Sequence, residues 1–506
     1  MQRRQFLKSI GAGAAALLTS TAFTSCSTNP SKPNFVFFLV DDLGWTDIGA
    51  FGSSFYETPN IDKLAATGMK FTDAYAACPV CSPTRASIMS GKYPARINLT
   101  DWIPGRQAGG RANEPENKVV PPDFQLYMSL DEVTIAEALK AAGYATGFFG
   151  KWHLGQTEDL WPEFQGFDVN KGGWARGAPY YRTYDPEDDE WKCDSGFVSP
   201  YKNPRLEDGP PGEYLTDRLG EETIRFIQQN KETPFFAYLS FYTVHNPMHG
   251  KQDKVKKYQE KAERLGLLDQ PQFNENPDWA QHVGQGNWRE RLVQSHAEYA
   301  AMIESLDENV GTVLTALEEA GLVENTIVFF MGDNGGLSTS EGSPTTNLPL
   351  RAGKGWLYEG GIREPMIIRW PGQSPGECSE PVTSTDFYPT MLEMAGLPLR
   401  PQQHMDGKSL TPLVKGKSMD RGPIFWHYPH YSNQGGKPGG AVRDGEWKLI
   451  ERYETGKLEL YNLKEDIGET TNLAEKMPDK AQVLLSMLQE WRKHVDAQMP
   501  TPVEAS

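Results

Sequence analysis

Two pairs of oxygen donors each follow an apolar run of strand length. Asp41 and Asp42 follow NFVFFLV, and Asp333 and Asn334 follow NTIVFFMG. Two adjacent buried carboxylates repel each other unless a cation lies between them. Oxygen donors without histidine or cysteine favour Ca²⁺ or Mg²⁺ over zinc. Together the four residues predict a divalent cation site, although an acidic turn after a strand is the alternative explanation for either pair alone.

Five basic side chains occupy comparable positions, after apolar runs, in a glycine-rich loop, or one helical turn beyond a cysteine. They are Arg85, Lys151, His153, His245 and Lys354. A lone lysine or histidine is more often a surface residue or one satisfied within the fold. If all five converge beside a divalent cation, the site suits a tetrahedral oxyanion ester, because such a group carries charge on several oxygens.

The segment CPVCSPTR places Cys78 and Cys81 three residues apart. A disulfide, a metal site, a thiol nucleophile and a modified residue are all compatible with this spacing. A zinc site needs a second cysteine pair, but Cys193 and Cys378 stand alone. A chain of 506 residues does not need disulfides to fold. The residues themselves leave the role of Cys81 open.

The elements that must position these residues alternate between strands and helices. Continuous apolar runs are typical of strands buried on both faces of a parallel sheet, and EPMIIRWPG adds another strand of this kind. Helical patterns lie between them, including TPNIDKLAATG and SHAEYAAMIESLDENVGTVLTALEEAG. The pattern predicts an α/β fold with a large, mixed, mostly parallel sheet flanked by helices. Ligands of such sheets bind at the carboxyl ends of the strands.

The pattern changes after about Pro401. GAVRDGEWKLIERYETGKLELYNL indicates short antiparallel strands, and DKAQVLLSMLQEWRKHVDAQ indicates a final helix. We therefore predict an export signal at 1–26, a catalytic domain at 27–400 and a smaller C-terminal α+β subdomain with an antiparallel sheet at 401–506.

The N-terminus is typical of an exported bacterial protein. MQRRQFLKS resembles a twin-arginine signal, IGAGAAALL is too short to span a membrane, and FTSC resembles a lipoprotein cleavage site ending at Cys26. We expect a periplasmic or cell-surface lipoprotein that contacts the membrane only through a lipid on Cys26; ordinary cleavage nearby is the alternative. The net charge of −17 argues against nucleic-acid binding.

The motifs as a set resemble the type I sulfatases, which have an alkaline-phosphatase-like fold. Cys81-Ser82-Pro83-Thr84-Arg85 matches the C-x-P-x-R signature of that family, and Gly91, Lys92, Pro94 and Arg96 extend it. The segments NFVFFLVDDLGWTDIGAFG, GKWHLG, GDNGG and VRDGEWKLI follow in the family's order. The similarity covers most of the chain.

This resemblance implies that Cys81 is oxidised to Cα-formylglycine (3-oxoalanine) by a formylglycine-generating or anaerobic sulfatase-maturating enzyme. It implies one Ca²⁺ held by Asp41, Asp42, Asp333, Asn334 and the modified Cys81. The remaining catalytic positions are Arg85, Lys151, His153, His245 and Lys354. The hydrated aldehyde would be the nucleophile, and a plain thiol is less apt because a sulfated thiol has no easy exit. Cys78 is expected to be a small buried hydrophobe.

Loops rich in aromatic and basic residues predict a sugar pocket. The candidates are Trp102, Arg106, Trp174, Arg176, His427 and His430, with packing between subdomains as the alternative for each. We expect a carbohydrate sulfate, such as a sulfated galactose or N-acetylgalactosamine. The alternatives are an arylsulfatase, a phosphate or phosphonate ester hydrolase of the same superfamily, and a non-catalytic lipoprotein that binds sulfated glycans.

Overall fold

The structure is a computed structural model that describes residues 32–105, 117–185, 190–275, 277, 280 and 289–503, with only the backbone described for 181–185 and 190–195. The predicted export segment 1–26, Cys26 and Arg106 lie outside the described residues. No helix in the described residues is long and apolar enough to cross a membrane.

The strands in chain order are β1 Asn34–Val40, β2 Met69–Tyr75, β3 Val119–Val120, β4 Ala145–Gly150, β5 Val169–Lys171, β6 Tyr180–Asp185, β7 Glu190–Ser195, β8 Phe235–Ser240, β9 Phe273–Glu275, β10 Arg289–Arg291, β11 Thr326–Gly332, β12 Arg363–Arg369, β13 Gly376–Cys378, β14 Val382–Thr383, β15 Ile424–Tyr428, β16 Gly439–Asp444, β17 Trp447–Arg452, β18 Leu458–Asn462 and β19 Thr501–Pro502. The α-helices are α1 Pro59–Thr67, α2 Cys81–Ser90, α3 Ile135–Ala141, α4 Leu215–Gln229, α5 Gln252–Arg264, α6 Ala297–Glu319, α7 Glu359–Ile362, α8 Phe387–Met394, α9 Thr411–Val414 and α10 Pro478–His494.

The large sheet has the strand order β13-β2-β12-β11-β1-β8-β4-β5, and β14 also pairs with β2. Strand β12 is antiparallel to β11 and β2. The other pairs of this sheet are parallel. The predicted mixed, mostly parallel sheet is therefore confirmed. The strand expected from EPMIIRWPG exists as β12, but it runs against the rest.

Helices cover both faces of the sheet. On β1, Val36 and Phe38 pack with α4, α5 and α6, while Phe35 and Phe37 pack with residues of α2, α3 and α8. Successive side chains of a strand point to opposite faces, so β1 is apolar from Phe35 to Val40 because both faces are buried. This three-layer arrangement holds the strand ends rigidly at one edge.

The predicted antiparallel subdomain is confirmed as the four-stranded sheet β15-β16-β17-β18. The turn Glu454-Thr455-Gly456 separates β17 from β18, as expected. Helix α10 packs on this sheet, with Leu484 and Leu488 in one apolar cluster with Val442 and Tyr93. The boundary at residue 401 stays a prediction.

A buried ion network joins this sheet to the main domain. The Lys448 ammonium lies 2.9 Å from carboxylate oxygens of both Glu359 and Glu469, and all three side chains are fully buried. Burial raises the pKa of Glu469 to about 7. For Glu359, burial also acts to raise the pKa, but Lys448, Arg363 and Arg443 together outweigh it and lower the pKa to about 2. Lys448 therefore balances two carboxyl groups that water cannot reach.

We expect Lys448→Met to lower the free energy of unfolding by about 3–5 kcal/mol, because it removes the cation beside the buried Glu469 carboxyl and leaves Glu359 with Arg363 as its ion-pair partner. Chemical denaturation of the purified protein measures this. The matched control is Lys464→Met, since the Lys464 side chain is 72% exposed. Equal stability of the two variants would show that the network contributes little.

Candidate active site

The site lies where β11, β1, β8 and β4 end side by side. These four strands are adjacent and parallel, so their carboxyl ends meet at one edge of the sheet. Asp333 follows β11, Asp41 follows β1, His245 follows β8 and Lys151 follows β4. Helix α2 begins at Cys81, as predicted, after the loop that follows β2. The sheet thus gathers residues more than 250 positions apart.

The oxygen donors converge as expected. One carboxylate oxygen each of Asp41 and Asp333 and the Cys81 sulfur lie within 4.8 Å of one another. The Asp42 amide donates to Asp333 Oδ1 at 3.1 Å, and Asn334 Nδ2 donates to Asp42 Oδ1 at 2.8 Å. Asn334 Oδ1 is buried without a hydrogen-bond partner among the described residues. This unpartnered oxygen can therefore serve as a ligand for a cation.

Three cations pair with the three carboxylates. Lys151 Nζ lies 2.7 and 2.9 Å from the two Asp41 oxygens. Lys354 Nζ lies 2.7 Å from Asp42 Oδ1. Arg85 contacts Asp333 Oδ2 through Nε at 2.8 Å and Nη2 at 2.7 Å.

The pKa shifts follow from this burial and pairing. Burial raises the pKa of Asp41 to about 8, against the opposing charge of Lys151. Burial acts in the same direction on Asp42, but Lys354, His245 and Lys151 together outweigh it and hold the pKa of Asp42 below its usual range. Burial raises the pKa of the Cys81 thiol to about 11, so an unmodified thiol stays protonated near neutral pH.

The two histidines each present one free ring nitrogen. His153 Nε2 hydrogen-bonds the Ile103 carbonyl, which can only accept, so Nε2 carries the proton. His153 Nδ1 is buried without a hydrogen-bond partner among the described residues and is free to accept a proton. His245 Nδ1 donates to the Asn246 carbonyl at 2.8 Å. Its Nε2 lies 3.7 Å from Asp42 Oδ2 and is the nitrogen that can exchange a proton in the site.

Two residues of the site, Asp42 and His153, have a left-handed backbone conformation. Asp42 and His153 have φ of +56° and +59°, a region that costs a non-glycine residue about 1–3 kcal/mol. A Cβ on Gly177 would lie 2.2 Å from the His153 ring, so glycine is required for this approach. The fold therefore holds functional side chains in positions that local preference alone disfavours.

A cavity of about 640 Å³ opens above Cys81. Among the predicted sugar-pocket residues, Trp102 and Arg176 line it. Trp174 lies beside the wall, with the Arg176 guanidinium 5.3 Å from its ring centroid. The volume is in the range of a small-ligand site.

His427 and His430 are not on the wall of this cavity. His427 Nδ1 hydrogen-bonds the Tyr453 hydroxyl at 2.7 Å, and its Nε2 bonds the Gln498 carbonyl at 3.0 Å. His430 Nε2 bonds the Thr100 hydroxyl at 2.8 Å. Burial lowers the pKa of His427 to about 4 and that of His430 to about 3, so both are neutral packing residues. The alternative given for these two histidines, packing rather than sugar binding, therefore fits their placement.

Several residues of the site escaped the sequence interpretation. Ser240, at the end of β8, accepts a hydrogen bond from Arg85 at 2.6 Å. Polar residues from four loops also line the cavity, and they are Gln156, Asn246, Glu341, Asn433 and Gln434. Isolated polar residues in loops are common in any sequence, so no local signal marks these.

A deep site in which paired carboxylates and cations surround one residue at a helix N-terminus suits an ester with a tetrahedral oxyanion. Fold and site together define a hydrolase of such esters.

Comparison with known proteins narrows this class. The sulfatase family profile matches residues 33–397, and the profile of the C-terminal region of N-sulphoglucosamine sulphohydrolase matches 352–496. A sulfatase of Formosa agariphila is 33% identical, with 93% of this chain and 90% of the relative covered. The N-acetylgalactosamine-6-sulfatase of Mus musculus is 31% identical, with 79% and 69% covered. The crystal structure of Ps i-CgsB in complex with k-i-k-neocarrahexaose is 27% identical, with a TM-score of 0.70 and 92% and 94% covered.

The chain belongs to the type I sulfatase family of the alkaline phosphatase superfamily. It is a sulfuric ester hydrolase, and the alternative of a non-catalytic binding protein is wrong.

Proposed function

We propose that this enzyme removes sulfate from a carbohydrate, with Cα-formylglycine at position 81 as nucleophile and Ca²⁺ as its metal. The observation that carries the proposal is the convergence of Cys81, Asp41 and Asp333 below a cavity whose lining includes His245 and Lys354. Formylglycine at this position would need a maturating enzyme, which reads the segment around Cys81.

The donor set fits Ca²⁺. Asp41, Asp42 and Asp333 supply carboxylate oxygens, and Asn334 supplies a buried amide oxygen without a partner among the described residues. Hard oxygen donors of this kind are the ligands that Ca²⁺ prefers. When bound, the ion would neutralise charge on the sulfate ester and favour ionisation of the hydrated aldehyde.

The basic residues supply binding and proton transfer. We assign sulfate-oxygen binding to Lys151 and Lys354, which pair with Asp41 and Asp42 in the structure, and Arg85 pairs with Asp333 and favours the ionised nucleophile. An ionised oxygen of the hydrated aldehyde attacks sulfur, and the bond from sulfur to the alcohol oxygen breaks. His245 in its doubly protonated form gives the Nε2 proton to that departing oxygen, since Nδ1 donates to the Asn246 carbonyl. After this sulfuryl transfer, His153 Nδ1 takes the proton of the second hydroxyl at residue 81. The carbonyl of the aldehyde reforms as its bond to the sulfate oxygen breaks.

The proposed sugar is a sulfated galactose or N-acetylgalactosamine residue. The N-acetylgalactosamine-6-sulfatase of Mus musculus and the Ps i-CgsB complex with k-i-k-neocarrahexaose support a glycan substrate. The cavity supports it as well, because Trp102 offers a ring face for stacking and Arg176 offers a cation.

A panel of defined sulfated mono- and oligosaccharides tests this proposal. We expect inorganic sulfate to be released from galactose and N-acetylgalactosamine sulfates, and 4-nitrophenyl sulfate to be cleaved with a higher kcat/KM than 4-nitrophenyl phosphate. The higher kcat/KM on the phosphate would instead assign a phosphate ester hydrolase. Cleavage of the aryl sulfate without any saccharide would assign an arylsulfatase.

The proposal includes export by the twin-arginine route and lipidation of Cys26. A folded enzyme modified in the cytoplasm would then reach the periplasm or the cell surface. Cell fractionation with labelled palmitate checks this, and we expect Cys26→Ala to release the protein from the membrane fraction. Unchanged membrane association of that variant would reject the lipid anchor.

A further inference from the structure

One wall of the cavity carries a negative charge. Among the described lining residues Glu341 is the one acidic side chain, whereas Lys354, Arg176 and His245 are basic or can become so. A carboxylate beside an anion-binding site repels the sulfate group of the substrate. Such a residue is therefore suited to contact a part of the substrate that is not anionic. Sulfate binding therefore does not explain why Glu341 lines this cavity.

The Glu341 carboxylate is held by neutral donors. Asn433 Nδ2 donates to Oε1 at 3.0 Å, and Gln434 Nε2 donates to the same oxygen. Asn246 Nδ2 donates to Oε2 at 3.0 Å. A carboxylate oxygen accepts about two hydrogen bonds, so the side chains in the described part of the chain fill Oε1 and leave one position on Oε2, in a residue that is exposed to solvent. The amides orient the carboxylate without neutralising its charge, and they leave it room for one more donor.

The backbone at Glu341 also indicates a specified position. Glu341, Gly342 and Ser343 have consecutive φ values of +53°, +89° and +46°. Two of them are not glycine, and each costs about 1–3 kcal/mol in this region. Ser343 is buried, and its carbonyl accepts a hydrogen bond from Arg291. Strain of this kind persists only where surrounding contacts hold it, and it concentrates at functional sites.

A cation stands on a different segment of the wall. Arg176 donates from Nη1 to the Tyr180 carbonyl at 2.9 Å and lies over the Trp174 ring. The cavity wall therefore carries the acidic Glu341 and the basic Arg176, apart from the residues assigned to sulfate binding. Different ring positions of a bound sugar would therefore lie near an acidic or a basic side chain.

We propose that Glu341 determines which sulfated sugars are accepted, an inference that rests on the proposed function. Its free Oε2 position accepts a hydrogen bond from a neutral hydroxyl of the departing sugar. The negative charge of Glu341 repels a second sulfate group that replaces this hydroxyl. The enzyme then selects a sugar whose hydroxyl next to the cleaved ester is unsubstituted.

The test compares kcat/KM for three substrates: N-acetylgalactosamine 6-sulfate, N-acetylgalactosamine 4,6-disulfate, and 4-nitrophenyl sulfate, which has no sugar. We expect the wild type to prefer the monosulfated sugar by at least about tenfold. Glu341→Gln should lower kcat/KM for the monosulfated sugar about tenfold, because a charged hydrogen bond is lost. It should raise the value for the disulfated sugar, whereas 4-nitrophenyl sulfate, which has no sugar hydroxyl, should lose clearly less than the monosulfated sugar does.

Glu232→Gln is the matched control, since Glu232 is exposed and does not line the cavity. We expect it to behave as the wild type on all three substrates. An unchanged preference in Glu341→Gln, or an equal loss on 4-nitrophenyl sulfate, would overturn the assignment of Glu341. If the wild type cleaves 4-nitrophenyl sulfate but neither sugar, the inference fails while sulfatase activity stands. If it cleaves none, the proposed function fails.

Discussion

Cys81→Ala is expected to lower sulfate release by at least about a thousandfold while leaving the protein folded, because loss of a nucleophile is among the largest catalytic effects known. Residue 81 is buried at the start of α2, and alanine at this position adds no volume and keeps the helix. The measurements are hydrolysis of 4-nitrophenyl sulfate and thermal unfolding of the same preparation.

The chain offers a close control in Cys78→Ala. Cys78 is a buried free thiol three residues earlier, with its sulfur 3.9 Å from the Thr100 carbonyl. We expect this variant to retain most activity. Intact-mass analysis of the peptide containing residue 81 should show the aldehyde in both the wild type and Cys78→Ala. Full activity of a wild-type preparation in which Cys81 is still a thiol would reject the formylglycine mechanism.

Asp41→Asn is expected to lower activity by at least about a hundredfold and to abolish stabilisation by Ca²⁺. The amide cannot ionise, so it removes one of the three carboxyl groups that face the cation site, and it leaves the fully buried Lys151 ammonium without its carboxyl partner. For the wild type, Ca²⁺ at a hundred times its Kd should add about 2.7 kcal/mol of stability after treatment with a chelator. Thermal unfolding with and without Ca²⁺ measures the difference.

Asp269→Asn serves as the control for this experiment, because Asp269 is exposed and remote from the site in the sequence. It should respond to Ca²⁺ as the wild type does. A Ca²⁺ response in Asp41→Asn equal to that of the wild type would remove Asp41 from the ligand set. Activity that survives complete removal of divalent ions would remove the metal from the mechanism.

The central elements of the fold were predictable because burial on both faces leaves a local signature. A strand such as β1 is apolar on both faces when helices cover both sides of the sheet, and β4, β8 and β11 likewise have continuous apolar runs with a polar residue only near an end. Parallel neighbours end at the same edge, so the polar residues after them had to meet. The placement of Asp41, Asp333 and Cys81 follows from this rule.

The direction of β12 was not predictable in the same way. Its apolar pattern is that of its neighbours, because burial on both faces does not depend on which way a strand runs. Direction depends on the connection. Here β12 follows the loop with Lys354 and the short helix α7, which already lie at the active-site edge, so the chain can only return across the sheet.

The chain alone therefore determined the fold class, the cation and anion chemistry, and the order of the motifs, because each leaves a pattern within a few neighbouring residues. Only the tertiary structure shows that His427 and His430 are packing residues, and that Glu341 lines the cavity together with its amide partners. The balance of Lys448 against two carboxylates was likewise a tertiary outcome. These contacts join residues as many as 330 positions apart, and the energy of each depends on burial that exists only once the layers have packed.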